Sequence, residues 1–323
     1  MHLQGLDLNL LIALDALLSE KNVTRAAERM NISQPGMSAA LQKLRCHFAD
    51  ELLERIGRRL ELTPLAKALA SPVKAILFDI QALSASLGSF DPATAERKFR
   101  ISASTFCWEL LAPPLIRHLE QVAPQVSCQF DDLTNETLTR LVEGQLDFTI
   151  TISQRLLMEP SNLDRPLSRM NLFSDQLMLV AAEGNRRVGD SIDLDALCEL
   201  PYIETRFGSD VASLGEELWR RQARQPRVRA WLPNFQLTLD AVSRSDMVAI
   251  VPAYLVNMHR DRFKVRMLAP PLEIPVIEEH VFWHPRNDPD PGHRWFRDVL
   301  RLVAEEVGLG SGPVHHANAI DRS

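Results

Sequence analysis

The sequence is poor in the residues that staple, span or hold metals. Four cysteines, Cys46, Cys107, Cys128 and Cys198, are scattered over 323 residues. None forms a Cys-x-x-Cys pair, so neither a zinc knuckle nor a redox motif is signalled, and scattered thiols fit a reducing, cytoplasmic compartment. No apolar run approaches the roughly 18 residues that argue for a membrane helix, so no membrane partner is expected. The first residues, MHLQGLDLN, have no basic stretch followed by an apolar one, and no signal peptide is expected there. There is no internal repeat, and no GxSxG, GxGxxG, Walker loop or HExxH occurs. An enzyme is therefore not expected, nor is a cofactor.

What is present is ordinary in bulk: 46% hydrophobic residues, 24% charged residues and a net charge of −6. Length suggests two or three domains, each able to bury a core. The charge distribution says more than the total. Between Lys21 and Phe48 stand Lys21, Arg25, Arg29, Lys43 and Arg45 against Glu28 alone, while residues 1–65 hold eight charges of each sign. The basic excess is a patch, and a patch on an acidic chain still steers phosphate.

Residues 6–19 place Leu6, Leu10, Leu14, Leu17 and Leu18 at helical spacing. A short helix is expected at 24–30, capped by Thr24, with Ala26, Ala27 and Met30 turned inward. After a tight break at Asn31, Ile32 and Ser33, a third helix is expected from Gln34 to Phe48, with Ser33 as N-cap and Pro35 in the first turn. Extended pieces at 51–55 and 59–62 joined by Gly57-Arg58 read as a hairpin. Thr63-Pro64 then starts a helix to Leu87, with Gly88 as its stop. Its stripe of Leu65, Leu69, Val73, Ile76, Leu77, Ile80, Leu83 and Leu87 wants a partner helix, most simply from a second chain. From Lys98 onward strands alternate with helices. Strands are expected at 99–104, 126–131, 147–152, 176–182, 202–205, 228–232, 247–251, 263–268 and 276–284, and helices at 109–122, 135–143, 209–224, 236–244 and 290–307. Such alternation implies parallel sheets with helices on their faces.

The most specific signal is Val23 to Gln42, VTRAAERMNISQPGMSAALQ. Helix, short turn, helix binds DNA when the second helix is polar at its start and apolar behind. Here Ser33, Gln34, Pro35, Gly36 and Ser38 form the polar end, while Met37, Ala40, Leu41 and Leu44 face a core. Gln34 suits bidentate reading of adenine, and Ser33 and Ser38 suit a base edge or a phosphate. Thr24, Arg25, Arg45 and the hairpin arginines Arg55, Arg58 and Arg59 suit the DNA backbone and minor groove. Periodicity alone does not separate this from a small helical bundle with a solvated basic face.

The residues do. LDLNLL, Ala26-Ala27, NISQPGMS, Leu44, ELLER, the wing Arg58 and Leu62-Thr63 resemble the LysR-type transcriptional regulators. The resemblance continues through the linker helix to about residue 307. Leu44-Arg45 and Pro64-Leu65-Ala66 stand where the family usually has Leu-Glu and Ala-Gly. With GLDLNLLIALDALL and WHPRNDPDPGHRWFRDVL, these departures resemble the subgroup of nodulation regulators and of regulators of aromatic and chloroaromatic degradation. The resemblance implies an N-terminal all-α winged helix-turn-helix with a long linker helix, followed by a C-terminal α/β effector domain of two subdomains, like a periplasmic binding protein. The boundaries are 1–63 for the winged domain (motif 23–42), 64–88 for the linker and dimerisation helix, and 98–307 for the effector domain. Within it, subdomain I covers about 98–166 and 270–307, subdomain II about 167–269, and 308–323 is a flexible tail. The resemblance further implies a homodimer or homotetramer on double-stranded promoter DNA with a T-N11-A dyad. It also implies a link to RNA polymerase, a small aromatic or phenolic coinducer as ligand, and activation of a catabolic or symbiosis-type operon.

Ligands of alternating folds collect beyond the carboxyl ends of strands. Ser104, Thr105 and Phe106 follow the first strand at a helix start, where hydroxyls and a positive helix end suit a carboxylate or phenolate. Trp108 offers an aromatic wall. Thr205, Phe207 and Gly208, with Arg206 between them, Phe235 before a helix, and Val251-Pro252 complete the expected cleft. Phe106, Phe207 and Phe235 are equally well read as core. His280, His284 and His293 match no zinc template, and no metal is expected. Asp288, Asp290 and Asp298 near His293 would suit acid–base work, but capping explains them. A transport-type binding protein is the remaining alternative, disfavoured by the attached helix-turn-helix.

Overall fold

The computed structural model describes residues 8–57, 59–86, 89–152, 167–207 and 211–309. Arg58, Gly208, and His315-His316 in the tail lie outside the described residues. The chain divides into two compact units, one of residues up to Gly88 with Val142–Gln145, the other of the remainder. No helix among the described residues is long and apolar enough to cross a membrane.

The first unit runs α1 (Leu8–Glu20), α2 (Val23–Arg29), α3 (Gln34–Phe48), β1 (Leu53–Ile56), β2 (Arg59–Leu62) and α4 (Pro64–Ser86). Helical spacing turns Leu10, Leu14 and Leu17 of α1, Ala26 and Ala27 of α2, and Met37, Leu41 and Leu44 of α3 into one core. Each large side chain buried there contributes about 1.5–3 kcal/mol. The cap of α2 is Asn22, not Thr24. Its Oδ1 accepts the backbone N–H of Thr24 at 2.9 Å and of Arg25 at 3.1 Å, so the helix starts a residue earlier than its sequence suggests. Ser33 caps α3 as expected, accepting from Gly36 N at 3.2 Å. β1 and β2 pair antiparallel, and Gly57 takes the left-handed conformation (φ 64°) that their tight connection requires. Thr63 Oγ1 accepts from Ala66 N and caps α4. Along α4 Val73 is buried, Leu65, Leu69 and Leu77 are half-buried, and Ile76 is exposed. Its apolar stripe is therefore only partly covered by this chain.

The second unit is built on two sheets, and both are mixed rather than parallel. In the first, β4 (Ser127–Asp132), β3 (Lys98–Ala103) and β5 (Phe148–Ile152) run parallel, then β13 (Ile277–Trp283) and β6 (Ser168–Asp175) pair antiparallel. In the second, β10 (Arg227–Leu232), β8 (Pro201–Phe207) and β11 (Val248–Pro252) run parallel. β7 (Leu177–Ala182) pairs antiparallel with both β11 and β12 (Val265–Leu268), and β9 (Val211–Ala212) pairs antiparallel with β8. The antiparallel strands are those next to the points where the chain changes sheet. β6 lies outside the strands expected from the alternation pattern. Its membership of the first sheet moves the crossing to Gln176, later than the boundary expected near 166.

The helices of this unit are α5 (Thr105–Val122), α6 (Thr137–Val142), α7 (Leu194–Glu199), α8 (Leu214–Arg220), α9 (Phe235–Ser243), α10 (Ala253–Met258) and α11 (Pro291–Glu306). α5 begins at Thr105 rather than 109, because Ser104 Oγ accepts from Cys107 N and caps it there. The helix expected over 209–224 is the shorter α8, preceded by β9. Leu309, assigned to the tail, is buried in the core.

The histidine-rich corner after β13 is structural. Asp290 caps α11, accepting from His293 N at 3.0 Å, and pairs with Arg97 at 2.8 Å. Asp288 accepts from Trp283 Nε1 and Ser168 Oγ. His293 is fully buried. Its Nδ1 accepts from Arg297 at 2.8 Å, and burial pushes its pKa down to about 3, so it is neutral. His284 lies beyond the end of β13 and caps the following turn, so it does not share a strand face with His280. No group of three His, Cys, Asp or Glu suited to a metal ion occurs among the described residues.

Candidate functional site

Two regions concentrate the expected residues. In the first unit, the turn and first residues of α3 form one continuous exposed surface: Ser33, Gln34, Pro35, Gly36 and Ser38 all face solvent, while Met37 between them is fully buried. The capping bond of Ser33 leaves its O–H proton available to a phosphate. Thr24 and Arg25 are exposed at the start of α2. A groove between the end of α1 and the hairpin is lined by Lys21, Asn22, Arg25, Arg55 and Arg59, with Glu20 and Glu61 among them. Arg55 and Arg59 are exposed and make no ion pair with another described residue. Arg25 is partly engaged by Glu20 at 3.5 Å.

Arg45 is engaged within the fold. Its Nε donates to Glu51 O at 2.9 Å, its Nη2 to Leu53 O at 3.2 Å, and it pairs with the Glu51 carboxylate at 3.0 Å. It ties the end of α3 to the entry of β1. Asp50 adds a second tie, accepting from Leu52 N and from Thr63 Oγ1, both at 2.7 Å. Lys21, which takes a left-handed conformation (φ 46°), adds a third by pairing with Glu61 at 3.1 Å. That pair offsets the like charges of Glu54 and Glu61, which stand opposite each other across the hairpin.

In the second unit a cleft of about 420 Å³ is lined from both sheets. Of the residues expected there, Ser104, Phe106, Phe207, Phe235 and Pro252 line it. Phe235 is packed edge-on against Phe106 (centroids 6.4 Å apart) and Phe207 (5.2 Å). Phe106 and Phe235 belong to the core and line the cleft as well, and Phe207 is half-buried against them. Of the expected residues that are described, Thr105, Trp108, Thr205, Arg206 and Val251 do not line the cleft. Thr105 is spent on the first turn of α5. Trp108 donates to Asp131 O at 3.2 Å and packs on Phe130. Thr205 is buried against Thr238, their hydroxyls 2.8 Å apart. Val251 is fully buried in the strand interior.

The remainder of the lining was not anticipated: Leu133, Asn135, Thr151, Ile152, Leu177, Val211, Ala212, Ser213, Leu214, Glu217, Arg220, Ile277 and Glu279. Glu279 is the most consequential, a carboxylate only 5% exposed on the inner face of β13. Glu279 is buried on β13 while the adjacent Glu278 is exposed, and which of the two acids turns inward is set by the register of the strand in the sheet. Behind the rim, burial pushes the carboxyl of Glu204 up to about 7, where it accepts from Ser213 Oγ and Thr205 N. At the sheet crossing burial likewise raises Asp175 to about 7. Beside Glu279, burial first and then the Glu279 charge push up the Cys107 thiol, which is no nucleophile there.

Comparison with known proteins agrees with this division. A family model described as "Bacterial regulatory helix-turn-helix protein, lysR family" matches residues 8–67, and one described as "LysR substrate binding domain" matches residues 93–305. The chain is 32% identical to Nodulation protein D 1 of Rhizobium tropici over 96% of this chain and 99% of that protein. It is 33% identical to Nodulation protein D 3 of Rhizobium leguminosarum bv. phaseoli over 93% and 97%. A probable transcriptional regulator of Pseudomonas aeruginosa superposes with a TM-score of 0.60 at 25% identity, over 96% of this chain and 99% of that one. Full-length OxyR of the same organism superposes at 0.68 and 18% identity, over 92% and 94%, a likeness of fold alone.

Proposed function

The chain belongs to the LysR family of bacterial transcription regulators, which bind promoter DNA and small-molecule effectors and form oligomers, and from that premise we propose that it is an activator answering to a small aromatic or phenolic coinducer. The observation that carries this reading is the cleft itself: about 420 Å³ walled by Phe106, Phe207 and Phe235, in the same chain as an exposed recognition surface. A pocket of this volume, with aromatic walls and several polar groups, suits a small ring compound that carries polar substituents.

In this reading Gln34 and Ser38 of α3 read base edges in the major groove, and Thr24, Arg25, Ser33 and Pro35 position the helix on the backbone. Arg55, Arg58 and Arg59 of the wing neutralise phosphates. The partly covered stripe of α4 pairs two copies, giving a homodimer or homotetramer on a T-N11-A dyad. Ligand in the cleft changes how the assembly engages RNA polymerase, in the cytoplasm. The nodulation proteins among its relatives favour a symbiosis-type operon alongside a catabolic one.

A mobility-shift assay with a promoter fragment carrying such a dyad tests the DNA half. Affinity is expected to fall steeply with salt, and salt-insensitive binding would sink it. A thermal-shift screen of phenols, hydroquinones and flavonoids on the full chain tests the ligand half. Absence of any stabilisation, with no change in transcription from the promoter, would count against the aromatic coinducer.

A further inference from the structure

The exposed face of α3 continues past Ser38. Met37, Leu41 and Leu44 are buried, and their spacing fixes which way the helix is turned. On the opposite side Pro35, Ser38, Ala39 and Gln42 all face solvent. Residues three or four apart share one helix face, so Gln42 stands one turn beyond Ser38 on the same surface. α3 carries no acidic residue along its length, so its own side chains place no negative charge against a phosphate.

The side chains exposed between Gln34 and Gln42 are small: Pro35, Gly36, Ser38 and Ala39. None of them holds the helix axis away from a groove floor, and the two glutamines project past them. Gln34 and Gln42 are eight residues apart. At about 1.5 Å of rise per residue this separates them by about 12 Å along the axis. That is roughly three to four base-pair steps of about 3.4 Å. A glutamine amide donates and accepts at once, which matches the N6 and N7 edge of adenine in the major groove.

We propose that Gln42 is a second base-reading residue of α3, setting an adenine preference at a pair removed from the one that Gln34 reads. This rests on α3 being the recognition helix of the proposed function, and adds to it a second specified position in each half-site. The glutamines act as two prongs on one helix face, with Ala39 between them small enough to let both reach the base edges.

The test uses the full chain and a pool of duplexes randomised across the dyad. Bound sequences are counted for the wild type, Gln34→Ala, Gln42→Ala and Gln42→Glu, with the melting temperature of each variant as the control for folding. In the wild type an A·T pair is expected to be favoured at two separate positions of each half-site. Gln42→Ala is expected to lower that preference about tenfold at one of them, and to leave untouched the position lost in Gln34→Ala. Gln42→Glu is expected to move the preference at the same pair to cytosine, whose N4 amino group donates to a carboxylate. Such a change of base does not arise from lost packing. A uniform loss over all sequences in the Gln42 variants would place Gln42 on the DNA backbone and overturn the proposal. Wild-type preferences in both Gln42 variants, with the Gln34 position lost as expected, would overturn it too while the recognition helix stands. If the wild type selects no sequence, the recognition helix fails and this assignment fails with it.

Discussion

The two units keep their working residues in opposite ways. In the helix-turn-helix the candidate side chains lie within six residues, Ser33 to Ser38, all turned outward except Met37, which the fold hides with Leu41 and Leu44 behind them. In the effector unit the cleft is lined from strands and helices as far apart in sequence as Ser104 and Glu279. One surface is local and needs only a helix in the correct orientation. The other exists only when two mixed sheets are complete. Local contacts form cheaply, and non-local ones carry the loop-closure cost of the intervening chain.

The strongest way to break this comparison is to damage one unit and watch the other. Leu44 is fully buried on the back of α3. Leu44→Ala is expected to cost about 2–5 kcal/mol in the first unit and to abolish promoter binding. Calorimetric ligand binding in the cleft is expected to persist. If both activities disappear together at a temperature where the wild type is folded, the units are not energetically separate.

A second effect belongs to the effector unit alone. Glu204 has its pKa raised by burial from 4.5 to about 7. A raised folded-state value means that its contribution to stability is fully present below the unfolded pKa and is lost as pH rises through 7. The shift corresponds to about 3 kcal/mol as an order of magnitude. Denaturation of the wild type at pH 5 and at pH 8 is expected to show the effector transition weaker at the higher pH. Glu204→Gln is expected to flatten that difference, leaving the part due to Asp175. A variant with the same pH dependence as the wild type would remove Glu204 as its source.

The same contrast governs how much was legible in the sequence. Around Val23–Gln42 the periodicity, the Ser33 cap and the polar helix start all lie within twenty-odd residues, so motif and fold were read together. Even there, the cap is Asn22 where Thr24 was expected, because both residue types suit the position and it is Asn22 that takes the extended backbone conformation (φ −155°, ψ 120°). In the effector unit the alternation of strands and helices was visible, but strand direction was not. Nothing local in Ser168–Asp175 says that it pairs with β13, and an antiparallel partner a hundred residues away makes the sheet mixed. Glu279 was hidden beside Glu278, since which of two adjacent acids turns inward depends on that register. The contacts of Arg45 were not legible for a similar reason: its carbonyl partners at Glu51 and Leu53 exist only once the chain has turned at Ala49 and Leu52, both left-handed.

Base reading should separate from backbone contact. Gln34 is exposed on α3. Gln34→Ala is expected to cost about 1–3 kcal/mol on the cognate dyad and to relax the preference for one base pair. A competition assay across single-base variants of each half-site measures this. A uniform loss over all variants would assign Gln34 to the backbone instead.

The smallest effect is the sharpest test of the wing and of Arg45. Arg59 is exposed and unpaired among the described residues, whereas Arg45 is held by two carbonyls and the Glu51 carboxylate. Each phosphate neutralised on duplex DNA contributes roughly −0.9 to the slope of log affinity against log salt. Arg59→Ala is expected to make that slope shallower by about one, with base preference unchanged. Arg45→Ala is expected to leave the slope as it is and to act on the melting temperature of the first unit, because what it loses is the tie between α3 and β1. Both variants are to be measured on the same fragment over the same salt range. A shallower slope for Arg45→Ala would return it to the phosphate role its position suggested. An unchanged slope for Arg59→Ala would turn the wing away from the duplex.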